Sequence, residues 1–434
     1  MKQRDTASVG LHKASPDADQ VLRDKGIDPD RLSVTRLGFG SHKALVPRWL
    51  VRMGFGITLS ALLHLARYYQ LDIPLYVEAM LALIVGLIIL QSACEVLVAA
   101  TERLAARFKW NHYIAGTLAE ILSTIPELVV IAFLIPVSPA TAFVISVVTI
   151  YNNALVFSLY SFFLPKDKQG KFVMPTPITE AGTQILIGGG AMGLILGLVM
   201  LTFYSSDHAK SGFHYLDLVF ISIILLAIFF VYVYKLISSY AEEEAEVRET
   251  LGMSSDDVKQ RLDIVYEDVK PSSPASIALM FFAGLLGACI GGEEVSRFAT
   301  IMIGELAFNP ILTAMILALF AGMSEYVILW QSHKKQEYGI ALANAFGGIT
   351  QVMFLVLPFT LLGIAFYQMV VNPAHVELPL EFSLSNIFLL LFLFPTFYTL
   401  SSLLEEDHTL GLLDTTIMTG IFTFLIVLLV TYGV

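Results

Sequence analysis

Glu127 and Glu325 stand in apolar stretches of the chain 198 residues apart, and the same offset pairs Glu95 with Glu293, Asn111 with Asn309 and Asn153 with Gln351. A carboxylate at membrane depth is costly and marks a functional site facing water or a partner. Four polar pairs at one offset predict a site built twice. Around the first glutamate the run is Leu118-Ala119-Glu120-Ile121-Leu122-Ser123-Thr124-Ile125-Pro126-Glu127-Leu128. A proline inside a helix frees the carbonyl about four residues earlier and bends the helix. Ser123 and Thr124 sit beside that gap, so carbonyl, hydroxyl and carboxylate oxygens converge. A hard cation needs such a set, since calcium takes about six to eight oxygen ligands in irregular geometry. Around the second glutamate, Ala321-Gly322-Met323-Ser324-Glu325 sets glycine and serine beside the carboxylate without a proline, a looser copy. Glycine there lets backbone approach closely or the helix open. Asn153 and Gln351 each follow their glutamate by 26 residues, enough for half a helix, a short loop and half the next helix back. An amide can then return to the glutamate's depth and ligate without adding charge, so two carboxylates and two amides match one divalent cation.

The elements that must position these residues are membrane helices. Of 434 residues 56% are hydrophobic and 15% charged, with mean hydropathy +0.73, which is more apolar surface than a soluble fold can hide. Stretches long enough to span a bilayer fall near 49–69, 74–100, 113–135, 141–164, 181–204, 214–240, 274–298, 311–331, 339–367, 382–404 and 411–434, predicting eleven helices. No signal peptide precedes the first, so the N-terminus is expected in the cytosol and the C-terminus on the opposite side. Lysines and arginines then gather in cytosolic loops: Arg103, Arg107 and Lys109; Lys166, Lys168 and Lys171; Arg248, Lys259, Arg261 and Lys270; Lys334 and Lys335. In a prokaryote the membrane would be the plasma membrane.

The organisation that follows is a polar cytosolic segment over 1–47, an extra helix over 48–70, a first repeat over 74–240, a cytosolic linker over 241–273 and a second repeat over 274–434. Five spans per repeat force the second repeat to enter the membrane in the opposite sense, the inverted architecture of many secondary transporters. The linker holds Glu242, Glu243, Glu244, Glu246, Glu249, Asp256, Asp257, Asp263, Glu267 and Asp268 among apolar residues, and reads as a partly helical, solvated connector or a cation sensor. With a formal charge of −11 and no basic patch, the chain shows no nucleic-acid binding character. Cys94 and Cys289, both in apolar runs, read as packing residues.

Ser123-Thr124-Ile125-Pro126-Glu127-Leu128, the upstream Cys94-Glu95-Val96-Leu97-Val98, and Ser324-Glu325 followed by Ile340-Ala341-Leu342-Ala343-Asn344-Ala345 and Thr350-Gln351-Val352-Met353 resemble the cation/calcium exchanger superfamily. The layout, with its extra first helix and acidic linker, is most similar to the proton-coupled calcium antiporters. The resemblance implies that Glu127 and Glu325 are the central cation ligands, with Asn153 and Gln351 close by, and that calcium is exchanged for protons or sodium across the bilayer with no cofactor. The Gly-Asn-x-x-Glu form of the proton-coupled branch is absent from both repeats. The Gly-Thr-Ser-x-Pro-[Glu/Asp] form of the sodium-coupled branch is degraded to Leu-Ser-Thr-Ile-Pro-Glu in the first and lost in the second.

Each residue has a plainer reading. Glu127 and Glu325 could be protonated structural glutamates; Glu95 and Glu293 serve either a pathway or helix packing; Glu120 is a proton relay or a cytosol-side carboxylate. Asn111 and Asn309 suit helix entry, Asn309 standing before Pro310. His64, His112, His333 and His408 lie near membrane edges and form no ligand pair on one helix face, and Gly188-Gly189-Gly190 suits close helix packing. A membrane-embedded enzyme is disfavoured, because His-Glu-x-x-His, Gly-x-Ser-x-Gly and a paired intramembrane aspartate are all absent from the sequence. A passive channel is a third reading.

Overall fold

The computed structural model describes residues 47–108, 118, 121–174, 178–205, 212–250, 272–334, 338–371 and 380–432. The polar N-terminal segment, Asn111, His112, Glu120 and most of the acidic linker lie outside the described residues, as does the side chain of Ser324. The protein is a polytopic all-α membrane protein. Nine described helices are long and apolar enough to cross a membrane. Helix α1 is Arg48–Tyr68, α2 Leu75–Phe108, α3 Ile125–Leu134, α4 Pro139–Tyr160, α5 Thr183–Tyr204, α6 Tyr215–Thr250 and α7 Pro274–Thr300. There follow α8 Pro310–Ala321, α9 Met323–Lys334, α10 Tyr338–Gln351, α11 Leu357–Phe366, α12 Leu384–Leu391, α13 Leu393–Glu405 and α14 Leu412–Tyr432.

The difference between eleven expected spans and nine long helices lies at the two glutamates. The span expected over 113–135 is interrupted at Thr124, and that over 311–331 at Gly322, leaving short helices on either side. Elsewhere turns widen without breaking the rod: α10 runs through a π-type turn at Val352–Val356 into α11. Helix starts follow local chemistry. Ser138, Ser273 and Ser383 accept hydrogen bonds from Thr141, Ser276 and Asn386 backbone N–H at 3.2 Å, the first two preceding a proline. Asn309 Oδ1 accepts from Leu312 N–H at 3.2 Å before Pro310, the capping role expected of it. Helix α6 continues past the apolar run into Glu242–Thr250, so the acidic linker begins as helix.

Helices α2, α4 and the α10–α11 rod are mostly buried; α1, α6 and α14 lie at the periphery. Helices α2 and α7 pack along their lengths through small residues. A Cβ on Gly291 would stand 3.0 Å from the Gly86 carbonyl oxygen and 2.9 Å from Leu90, and one on Gly86 would stand 2.9 Å from the Gly291 carbonyl oxygen. A Cβ on Gly189 would stand 3.0 Å from the Phe354 ring and one on Gly190 3.1 Å from Phe394 Cα, the close packing expected of them, whereas one on Gly188 would meet open space.

Two short antiparallel ladders tie the halves together: β1 (Phe172–Val173) with β4 (Thr409–Leu410), and β2 (Gly212–Phe213) with β3 (Leu380–Glu381). Ladder pairing brings the two loops of each pair together at one end of the bundle. Lys171 and Asp407 form an ion pair beside the first ladder. Lengthening Gly291 to valine is expected to overpack the α2–α7 crossing, whose nearest obstacle is backbone, at a cost of about 1–3 kcal/mol. Thermal unfolding of the purified protein reads this as a lowered midpoint, and an unchanged midpoint would show that the helices do not cross so closely.

Candidate cation site

Both glutamates sit in the first turn of a helix that restarts after an interruption: Glu127 in α3 and Glu325 in α9. The positive end of each helix dipole therefore faces a carboxylate. The interruptions are equivalent. The starts Ile125 and Met323 are 198 residues apart, and Leu128 N–H donates to the Thr124 carbonyl as Tyr326 N–H donates to the Gly322 carbonyl, each at 3.1 Å. Thr124 Oγ1 donates to the loosened Ile121 carbonyl at 2.7 Å, so its proton is held by its own helix. Ser123 is buried beside it.

Helix α4 connects the two carboxylates. The Thr149 hydroxyl lies beside the Glu127 carboxylate and donates to the Ile145 carbonyl at 2.8 Å. Asn153, one turn on, reaches the other glutamate. A Cβ built on Gly348 would collide with Glu325 Oε2 and stand 2.9 Å from Asn153 Nδ2. The first half's amide and the second half's carboxylate thus meet over a residue that must be glycine. Asn344, one turn before Gly348 on α10, donates to the Glu325 backbone carbonyl at 3.1 Å. Gln351, three residues beyond Gly348, shares that face and is buried.

The electrostatics of this cluster are unusual for a packed core. Glu127 is 4% exposed, Glu325 7%, Asn153 2% and Gln351 4%. Glu127 Oε1, both amide atoms of Asn153, Asn152 Nδ2, Gln351 Oε1 and the Tyr326 hydroxyl are buried without a hydrogen-bond partner. A buried unpaired polar group costs about 1–3 kcal/mol, and a charged one more. Such a concentration in one place fits a set of donors arranged for something other than each other. Among the described residues no three His, Cys, Asp or Glu side chains converge as a metal site. The described polar side chains named beside the two glutamates are neutral.

The remaining expected residues lie elsewhere. Glu95 is buried, but Arg52 of α1 grips both its oxygens at 2.5 and 2.7 Å. Glu293 is exposed, with His64 3.6 Å away. The buried carboxylate of α7 is its neighbour Glu294, which accepts from Ser60 at 2.7 Å and pairs with Arg67 at 3.3 Å and His64 at 3.2 Å. The 198-residue pairing thus misses the buried group by one position. His333 contacts the Tyr160 hydroxyl at 3.3 Å near the end of α9. The sequence reading missed Thr149, Tyr326 and Glu294 and gave Asn344 no role. Thr149 could have been found as the hydroxyl one turn before Asn153; Glu294 had no signal beyond its neighbour.

Residues 276–431 match the family model described as sodium/calcium exchanger protein. No curated protein matches the chain by sequence. Its fold superposes on the crystal structure of an H+/Ca2+ exchanger, CAX, with a TM-score of 0.60 at 9% identity, over 88% of each chain. Native YfkE superposes with a TM-score of 0.54 at 14% identity, over 87% of this chain and 98% of that one. At such identities the likeness is one of fold.

Gly348→Ala places a methyl group against Glu325 and Asn153, so cation binding by the purified protein is expected to weaken at least tenfold while the thermal midpoint moves little. Unaltered binding would remove Gly348 and its two neighbours from the site.

Proposed function

We propose that the protein is a secondary active antiporter that exchanges a divalent cation, calcium first, for protons by alternating access. The observation that carries this reading is the pair Glu127 and Glu325, each opening a restarted helix and joined through Thr149, Asn153 and Gly348, amid buried polar atoms that lack partners. The family match over the second half and the shared fold with an H+/Ca2+ exchanger support the substrate class. Glu127 and Glu325 are the proposed cation ligands, with Asn153, Gln351, Ser123, Thr124 and Ser324 as neutral oxygens around them. Asn153 can present either amide atom by rotation about its last bond, ligating an ion or holding a carboxylate.

The coupling follows from charge. Two ionised carboxylates in a low-dielectric interior repel strongly, so the site is filled either by one divalent cation or by protons. Competition for the same oxygens makes exchange obligatory. The chain is then two inverted repeats, 74–240 and 274–434, with 48–70 as an extra helix and 241–273 as a cytosolic linker. The equal offset of the two helix interruptions supports that division. Glu95, Glu293 and Glu120 remain candidates for a proton path at the margins, Glu95 by exchanging its Arg52 partner.

Sodium as the driving ion is the second reading, favoured by the name of the matching family; exchange of a monovalent cation for protons would use the same oxygens. Purified protein in sealed liposomes, given a proton gradient and a sodium gradient separately, distinguishes these. The expected outcome is calcium uptake driven by the proton gradient alone and reduced by at least a hundredfold in Glu127→Gln and Glu325→Gln. Uptake that requires sodium moves the protein to the second reading, and absence of gradient-driven calcium flux refutes both calcium readings.

A further inference from the structure

The two helix interruptions differ in one respect that the offset exposes. At the first, Thr124 carries a hydroxyl and Leu128 follows one turn later; at the second, the corresponding residues are Gly322 and Tyr326. The Tyr326 ring folds back over its own interruption. A Cβ on Gly322 would stand 2.8 Å from the phenol oxygen, 2.9 Å from Cζ and 3.3 Å from Cε1. The phenol therefore fills the volume that a side chain at position 322 would take, the place that belongs to Thr124 in the first half. Its oxygen is buried, has no hydrogen-bond partner and lies within electrostatic reach of both Glu325 and Glu127.

Packing alone does not account for this oxygen. Phenylalanine would fill the same volume and would avoid leaving a buried hydroxyl unpaired, which costs about 1–3 kcal/mol. A phenol has a donor hydrogen and acceptor lone pairs on the same atom, so it can turn from a carboxylate to an ion without moving its ring. Resting on the proposed cation exchange, we infer that Tyr326 is a cation ligand of the second half, supplying through its side chain the neutral hydroxyl oxygen that Gly322 cannot. Calcium accepts about six to eight oxygens in flexible arrangements, whereas magnesium demands a near-ideal octahedron and gives up its water reluctantly. An added neutral oxygen raises the coordination number without adding charge, and so favours the larger ion.

The test is calcium and magnesium binding by the purified full-length protein, measured calorimetrically for wild type, Tyr326→Phe, Gly322→Ala and the double variant. Tyr326→Phe is expected to weaken calcium binding by about tenfold and to narrow the preference for calcium over magnesium, with a calcium-free thermal midpoint equal to or above wild type because the ring is retained and the unpaired hydroxyl removed. Gly322→Ala, whose methyl group displaces the phenol, should weaken calcium binding similarly, and the double variant should be no weaker than either single one. Calcium affinity and ion preference within twofold of wild type in Tyr326→Phe, or additive losses in the double variant, would overturn the assignment while leaving the exchanger reading intact. A wild-type protein that binds no calcium overturns both.

Discussion

A carboxylate in the interior of a membrane bundle must be answered by something, and the arrangement of this protein follows from how Glu127 and Glu325 are answered. Glu95 is answered by the Arg52 guanidinium. The described residues beside Glu127 and Glu325 include a threonine, an asparagine, a tyrosine and the bare backbone of Gly348. None carries a compensating charge. The interruptions at Thr124 and Gly322 turn helix N-termini towards the glutamates, and partial charges there stabilise anions without occupying their lone pairs. These described neighbours therefore answer the carboxylates with dipoles.

The layout of this site was legible in the sequence to the extent that it rests on residue type. Pro126 with a hydroxyl pair before it, and glycine with a serine in the second half, signalled two altered helices, and both altered helices occur at the same offset. The helix starts were also legible, because Ser-Pro and Asn-Pro pairs are local signals. What was not legible depends on packing between distant segments. That Gly348 is the surface on which Asn153 and Glu325 meet requires knowing which faces of α4, α9 and α10 oppose each other. The choice between Glu293 and Glu294 turns on a rotation of about 100° around α7, which an apolar run on every side does not specify. Gly188-Gly189-Gly190 shows the same limit, since two of its members touch neighbours and one does not.

Helix α1 is joined to α2 and α7 by charge as well as by apolar packing. Arg52 holds Glu95 of α2; Ser60, His64 and Arg67 meet Glu294 of α7; and Arg67 and Arg297 converge on Glu78 at 2.8 and 2.7 Å. These contacts sit on the two helices that cross at Gly86 and Gly291. A glycine-lined crossing is smooth, and it permits small displacements that interlocked side chains would block. The ion pairs of α1 span that crossing, binding one helix from each half. They restrain relative motion where the packing does not, and their partial exposure means water can substitute for a partner during movement.

The two interrupted helices share a glutamate at one offset but differ in what surrounds it. The first has a proline-stiffened turn with its threonine proton committed to Ile121, and the second a glycine with a tyrosine ring laid across it. The first is fixed by covalent geometry; the second can relax by rotation of a side chain. Equivalent positions thus differ in stiffness: a proline turn holds its shape, whereas a ring packed over a glycine can turn without moving the backbone.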